Sequence, residues 1–244
     1  MRKVFTIFFL CIIFYNANAQ IKLGFQLGPN FASGSYSSDY FKESDVSSKT
    51  WFFGGVLAEF KLNDMFYLQP EINYIQKGVE ISPLYYLGYV NTGSKGDFKL
   101  DYVEVPINII AKFGKNELKP FIFAGPSFNI LSTAEKTEKY VGYSDYGPYS
   151  IEDYVESMDI ALNVGGGVEY AVNPTLDVFA MLRYSLGFTD IFKNVGSVSP
   201  TNLSVGDIES FKTRGLVIGL GFKFCVFGCE EEKQVIEEPK KTPI

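Results

Sequence analysis

Carboxylates and cations recur at alternate positions within apolar stretches of this chain. Glu59, Glu71, Glu104 and Glu169 are the acids, and Lys112, Arg183 and Lys223 the bases. Two acids whose surroundings split their pKa values could serve as general acid and general base. The other parts of a hydrolytic site are missing, because the chain has no histidine and a serine nucleophile would lack the imidazole that activates it. Cys225 and Cys229 are spaced C-x3-C. Two thiols without histidine are too few for a tetrahedral structural zinc; a disulfide between them is open, although so short a loop restricts its geometry. The acids Glu135, Glu138, Asp145, Glu152 and Asp153 have no EF-hand spacing. The expectation is a protein that is not an enzyme and has no cofactor and no metal.

The carboxylates and cations of the apolar stretches sit on six of eight segments of period-2 alternation, which lie at roughly 21–32, 51–62, 65–79, 98–113, 118–131, 157–171, 175–190 and 212–224. Their connections run long, short, long, short, long, short, long. An up-and-down antiparallel barrel has that pattern when one rim faces outside and the other the periplasm. The short connections carry turn chemistry: Asn63-Asp64, Gly114-Lys115-Asn116 and Asn173-Pro174. The long ones are rich in Ser, Gly, Tyr and charge, as in STAEKTEKYVGYSDYGPYSIEDYVES at 132–157, and read as surface loops.

Each segment has two unlike faces. Leu216, Ile218, Leu220, Phe222 and Phe224 oppose Gly215, Val217, Gly219, Gly221 and Lys223. In FYLQPEINYIQKG, Phe66, Leu68, Ile72 and Tyr74 oppose Tyr67, Gln69, Glu71, Asn73 and Lys77. A soluble barrel would turn a densely charged face to water, whereas here the polar face is Gly, Asn, Ser and isolated charges. The apolar face is predicted to meet lipid and the polar face the lumen. The fold class is therefore all-β: an eight-stranded antiparallel up-and-down transmembrane β-barrel, whose segments are long enough for the 9–11 residues a tilted membrane strand needs. Trp51, Phe52, Tyr67, Tyr102, Tyr170, Phe188 and Phe192 fit interfacial girdles. PFIFAGPSFNIL, at 120–131, does not declare its faces. Pro70, Pro106 and Pro126 cannot donate to a ladder, so a bulge or a lapse in pairing is expected at each.

The ends divide the chain further. Arg2 and Lys3, the apolar run to Tyr15 and Ala17-Asn18-Ala19 make residues 1–19 a secretory signal peptide cleaved after Ala19. Residues 20–224 form the barrel domain, and 225–244, with EEEKQVIEEPKKTPI, a charged periplasmic tail. Without Arg2 and Lys3, 20 bases face 28 acids; that net charge of −8 argues against nucleic acid.

FYLQPEINYIQKG, with GGVLAEFKL before it, DYVEVPINIIAKFG and KPFIFAGPSFNIL after it, and MLRYSLGFTDI near the end, resembles the PorT-like outer-membrane β-barrel proteins across the mature chain to about Phe224. The resemblance implies an eight-stranded barrel in the outer membrane of a bacterium with two membranes. Its founding member serves a protein-secretion apparatus. An eight-stranded barrel is just wide enough to be filled by its side chains. The lumen set Lys22, Gln26, Glu59, Gln69, Glu71, Asn73, Glu104, Asn108, Lys112, Glu169, Arg183 and Lys223 is thus expected to form a polar plug, with Glu71 meeting a cation such as Arg183; a narrow channel for ions or small solutes is the alternative. Tyr140, Tyr143, Tyr146, Tyr149 and Tyr154 give the third long loop flat amphipathic surface suited to binding. The expected partners are outer-membrane lipid and another protein, held through the extracellular loops or the periplasmic tail. The expected role is a scaffold or binding protein in secretion or surface assembly.

Overall fold

The computed structural model describes residues 20–37, 46–82, 84–86, 89–91, 94–114, 117–140, 142–192 and 210–228. The proposed signal peptide, Cys229 and the tail to residue 244 lie outside these. The strands are β1 (Ile21–Ser37), β2 (Val46–Lys61), β3 (Phe66–Ile81), β4 (Leu84–Tyr86), β5 (Tyr89–Asn91), β6 (Ser94–Lys112), β7 (Leu118–Tyr140), β8 (Tyr146–Ser150), β9 (Met158–Asn173), β10 (Leu176–Gly187) and β11 (Ser210–Phe227). Eight of them form a closed antiparallel ring in the order β6, β3, β2, β1, β11, β10, β9, β7, with β7 returning to β6. Closure leaves no unpaired edge within lipid, the condition for a sheet to span a bilayer. Among the described residues no helix is long and apolar enough to cross a membrane.

Local chemistry sets the tight turns. Asn63 Oδ1 accepts hydrogen bonds from the Met65 and Phe66 amides, both at 2.9 Å. Asn173 Oδ1 does the same for Thr175 and Leu176, again at 2.9 Å. These side-chain caps stand in for the backbone partners that the chain lacks where it reverses. At the other rim the strands outrun the sequence segments. β6 has 19 residues and β7 has 23, against about 9–11 for a membrane crossing. The surplus stands outside the bilayer, so much of the expected loops at 80–97 and 132–156 is strand.

The polarity of the wall inverts along each long strand. In the lower part of β6, Val103, Ile107 and Ile109 face out while Glu104, Asn108 and Lys112 are buried inside. Higher up, Phe98, Leu100 and Tyr102 are buried inside and the outer face carries Asp97 and Lys99, ion-paired to Lys139 and Asp101. Apolar-out below and charged-out above is what a wall must show as it leaves lipid for water. The upper interior is an ordinary hydrophobic core: Ile75, Val79, Ile81, Phe98, Leu100, Ala134, Ile151, Val155, Ile191 and Phe211, with Phe192 packed against it. The expectation of a polar interior holds only for the lower part. Tyr67 and Tyr102 are buried in the lumen, on the face that alternation assigns them and not in the expected girdle, and Phe192 joins the upper core. Phe52, Tyr170 and Phe188 remain on the outer surface.

The undeclared strand is settled by its neighbours. Phe121, Phe123, Ser127 and Asn129 point inward and Ile122, Phe128 and Ile130 outward. Space for the two rings comes from β9: a Cβ on Gly165 would lie 2.5 Å from the Phe123 ring, and one on Gly167 2.7 Å from the Phe121 ring. Phe179 covers Gly221 and Met181 covers Gly219 in the same way.

The prolines produce no bulge. β2 and β3 keep one register from Phe53↔Ile75 to Lys61↔Tyr67, yet pairing lapses between Leu57↔Glu71 and Phe60↔Leu68, beside Pro70. Pairing lapses likewise between β3 and β6 beside Pro106 and between β6 and β7 beside Pro126. Each proline therefore leaves out ladder bonds on one side while regular pairing continues on the other. At the bottom, β11 runs to Phe227, which pairs with Ile21, so the barrel wall extends past the boundary expected at residue 224.

Candidate functional site

The expected lumen set comes together inside the ring, in tiers. The lower tier is a quartet. Lys112 Nζ lies 2.7 Å from Glu59 Oε1 and 2.6 Å from Glu169 Oε1, and Lys223 Nζ lies 2.5 Å from Glu59 Oε2 and 2.8 Å from Glu169 Oε2. Four strands, β2, β6, β9 and β11, each supply one member, and the charges alternate in sign, so the quartet is neutral. Aromatic rings close around it: Lys112 Nζ sits 4.4 Å from the Tyr67 ring centre and Lys223 Nζ 4.9 Å from that of Phe179. An ammonium against a ring face keeps a favourable partner where water is excluded. Below the quartet, at the mouth, Lys22 pairs with Asp177.

The middle tier is built on two carboxylates and one guanidinium. Glu71 accepts from Gln26 at 2.7 Å, Gln69 at 2.8 Å, Asn73 at 2.9 Å, Asn108 at 2.9 Å and Arg183 at 3.5 Å. Glu104 accepts from Arg183 at 2.9 Å, Ser127 at 3.0 Å, Asn163 at 3.3 Å and Asn73 at 3.4 Å. The expected Glu71 to Arg183 pair is present, and the shorter contact of Arg183 is to Glu104. With five and four donors the carboxylates have their lone pairs occupied, so neither is placed to take a proton from a substrate. Arg183 also stacks 4.5 Å from the Phe53 ring centre.

The upper tier was not in the expected set. Lys77 and Asp159 pair at 3.3 Å, both buried, and Thr213 donates to Asp159 at 2.8 Å. The lumen-facing position of Lys77 was legible from alternation in β3. Asp159 falls on the polar face of its segment with Asn163 and Glu169 by the same alternation; what the sequence did not give is that Lys77 and Asp159 meet across the lumen. Above it, buried Lys136 pairs with Glu138 at 2.5 Å. Burial in the apolar core pushes the Lys136 ammonium below its ordinary pKa, with Glu138 opposing.

The tyrosines expected in one binding loop are divided by the structure. Tyr140 ends β7, and Tyr146 and Tyr149 lie on β8, which pairs with β7 at Glu135↔Ser150, Lys136↔Tyr149 and Glu138↔Tyr146. Tyr140 and Tyr146 meet edge to face with ring centres 5.7 Å apart. Burial, and the hydrogen bond donated to Glu138, push the Tyr140 phenol up to about 12. Tyr143 is 73% exposed, and Tyr146 and Tyr149 are also at the surface. Tyr154 belongs elsewhere: it packs against the upper core. Cys225 is disulfide-bonded; Cys229, the partner left open by the sequence, lies outside the described residues. No group of three or more acidic or cysteine side chains suited to a metal occurs among the described residues.

Comparison with solved structures agrees with the ring. A major outer membrane protein from Thermus thermophilus superposes with a TM-score of 0.54 at 14% identity, over 85% of this chain and 99% of that one. OprG from Pseudomonas aeruginosa gives 0.45 at 14% identity, over 86% and 97%. Neisserial surface protein A gives 0.44 at 20% identity, over 84% and 97%. Of these three, the first alone is close enough to support the fold. No curated protein matches the sequence. Residues 16–193 match the outer membrane protein beta-barrel domain family. With that match covering most of the sequence and an eight-stranded ring that is apolar outside and charged within, the chain belongs to the outer membrane protein beta-barrel domain family and resides in the outer membrane.

Proposed function

We propose that this protein is a non-conducting, non-enzymatic scaffold of the outer membrane that binds another component through its extracellular strand tip or its periplasmic end. The observation that carries this reading is the stacking of closed tiers in one lumen: the quartet, the saturated carboxylates of Glu71 and Glu104, the Lys77–Asp159 pair and the hydrophobic core above. An ion crossing this interior would have to break buried pairs and then traverse an apolar plug. The β7–β8 tip, by contrast, places Tyr143, Tyr146 and Tyr149 in solvent, and such rings supply contact area at low entropic cost. The PorT-like resemblance of FYLQPEINYIQKG and its neighbours is what points to secretion or surface assembly as the setting.

Planar-bilayer recording tests the first half. The scaffold reading expects no stable unitary conductance, and a conductance that shifts on Glu71→Gln or Arg183→Gln would replace it with the narrow channel. Affinity capture from native membranes tests the second half, comparing the full chain with forms lacking residues 229–244 or carrying Tyr143→Ser with Tyr146→Ser. A partner set unchanged in both would remove the tip and the tail as binding elements.

A further inference from the structure

The buried charges of the membrane-level lumen do not balance. Among the described residues Glu59, Glu71, Glu104, Asp159 and Glu169 face Lys77, Lys112, Arg183 and Lys223, all within the wall and all buried. The quartet is neutral in itself, and so is the Lys77–Asp159 pair. The extra negative charge therefore belongs to the middle tier, where Glu71 and Glu104 share Arg183.

A second, independent feature sits at the same level. Gln26, Gln69 and Asn108 each turn the NH2 end of the amide to Glu71, and Asn163 turns its own to Glu104. The carbonyl ends of all four are buried and receive no hydrogen bond, and the buried Ser185 hydroxyl also has no partner. Inverting any amide would set its oxygen against a carboxylate, so the orientation follows from the network. Gln69 and Asn108 are direct register partners across β3 and β6, and both donate to Glu71 Oε1. Both amides therefore sit against the same carboxylate oxygen, with their carbonyl ends unpaired at the level of the surplus charge.

Hard, neutral oxygens beside a single surplus negative charge are the surroundings of a hard cation. The carboxylates cannot act as direct ligands, since side-chain donors occupy their lone pairs. A divalent ion, which draws on direct carboxylate ligation, would also reverse the charge of the tier. We infer that the middle tier binds one alkali-metal cation, coordinated by the amide oxygens of Gln69 and Asn108 with Gln26 adjacent, against the charge of Glu71 and Glu104.

The test uses the full mature chain refolded in detergent. Its unfolding midpoint is followed in sodium, potassium and N-methylglucamine chlorides at fixed ionic strength, and crystals are grown in rubidium or thallium(I) salt for anomalous diffraction. The expected results are a midpoint that rises with the logarithm of alkali-metal concentration and an anomalous peak between Gln69 and Asn108. Glu104→Gln, which neutralises the surplus charge and leaves both amides in place, should abolish the rise. The anomalous measurement needs no variant, so a misfolded E104Q does not remove the test. An identical midpoint in all three chlorides, the absence of the peak, an ion seen at crystal concentration without any effect on the midpoint, or a full cation effect surviving in folded E104Q would each overturn the inference. A midpoint that follows pH and ignores the cation would assign the surplus charge to a bound proton instead, and overturn it too.

Discussion

Individual buried charges in this lumen are held by partners from distant strands, which makes single substitutions costly. Lys223→Met would leave Glu59 and Glu169 sharing Lys112 alone. Removing one member of a buried ionic group costs about 3–5 kcal/mol, and urea unfolding in lipid vesicles should show a loss of that size. The double variant Lys223→Met with Glu59→Leu should recover part of it, because fewer charges are then stranded. A surface network behaves differently with pH. Burial acts to raise the carboxyl pKa of Asp97, but the ammonium groups of Lys139 and Lys49 hold it below its ordinary value overall. A depressed carboxyl contributes stability that is whole above the ordinary carboxylate range and fades as pH falls through the lowered value. Protection factors of amides in the upper β6–β7 ribbon, taken against the intrinsic exchange rate at each pH, should therefore fall on acidification towards pH 3, and Asp97→Asn should remove most of that dependence.

Among the strands, matched small and large residues decide which face turns inward. Gly167→Val would drive a branched side chain into the Phe121 ring and to within about 2 Å of the Ala180 carbonyl. Overpacking of this kind costs about 1–3 kcal/mol, and Gly167→Val combined with Phe121→Ala should fold better than Gly167→Val alone. Gly78 has a different constraint: its φ of +137° and the 1.9 Å approach of a Cβ to the Phe98 carbonyl oxygen require glycine, so Gly78→Ala should loosen the β3–β6 ladder where it leaves the membrane. The lipid face can be tested on β10. Leu182 is exposed on the outer wall beside inward-facing Arg183. Leu182→Arg should cost about 2–4 kcal/mol if it lies at the bilayer midplane, as measured by the yield of folded protein on titration with urea in vesicles.

For the whole molecule, compartment and architecture were legible because they follow from a period. Alternation put Phe66, Ile72, Leu216, Ile218 and Leu220 on one side and Glu71, Asn73, Lys77 and Lys223 on the other, and the structure keeps every one of these faces. The alternating lengths of the connections gave an antiparallel ring of eight, which is the ring observed. Three things were not legible. The inversion of polarity above the membrane places Phe98, Leu100 and Tyr102 inside with the same alternation as Glu104 and Asn108, so the period alone cannot say which side is lipid and which is water. Phe121 and Phe123 needed Gly167 and Gly165, more than forty residues away in sequence and adjacent across β7 and β9. The pairing of particular charges, Lys112 and Lys223 with both Glu59 and Glu169, Arg183 with Glu104, and Lys77 with Asp159, depends on which strands face one another across the lumen. A sequence records what each strand offers to its two sides; only closure of the ring brings the offering sides together, since ion pairs and ring packing act over a few ångströms and chain separation carries no such distance.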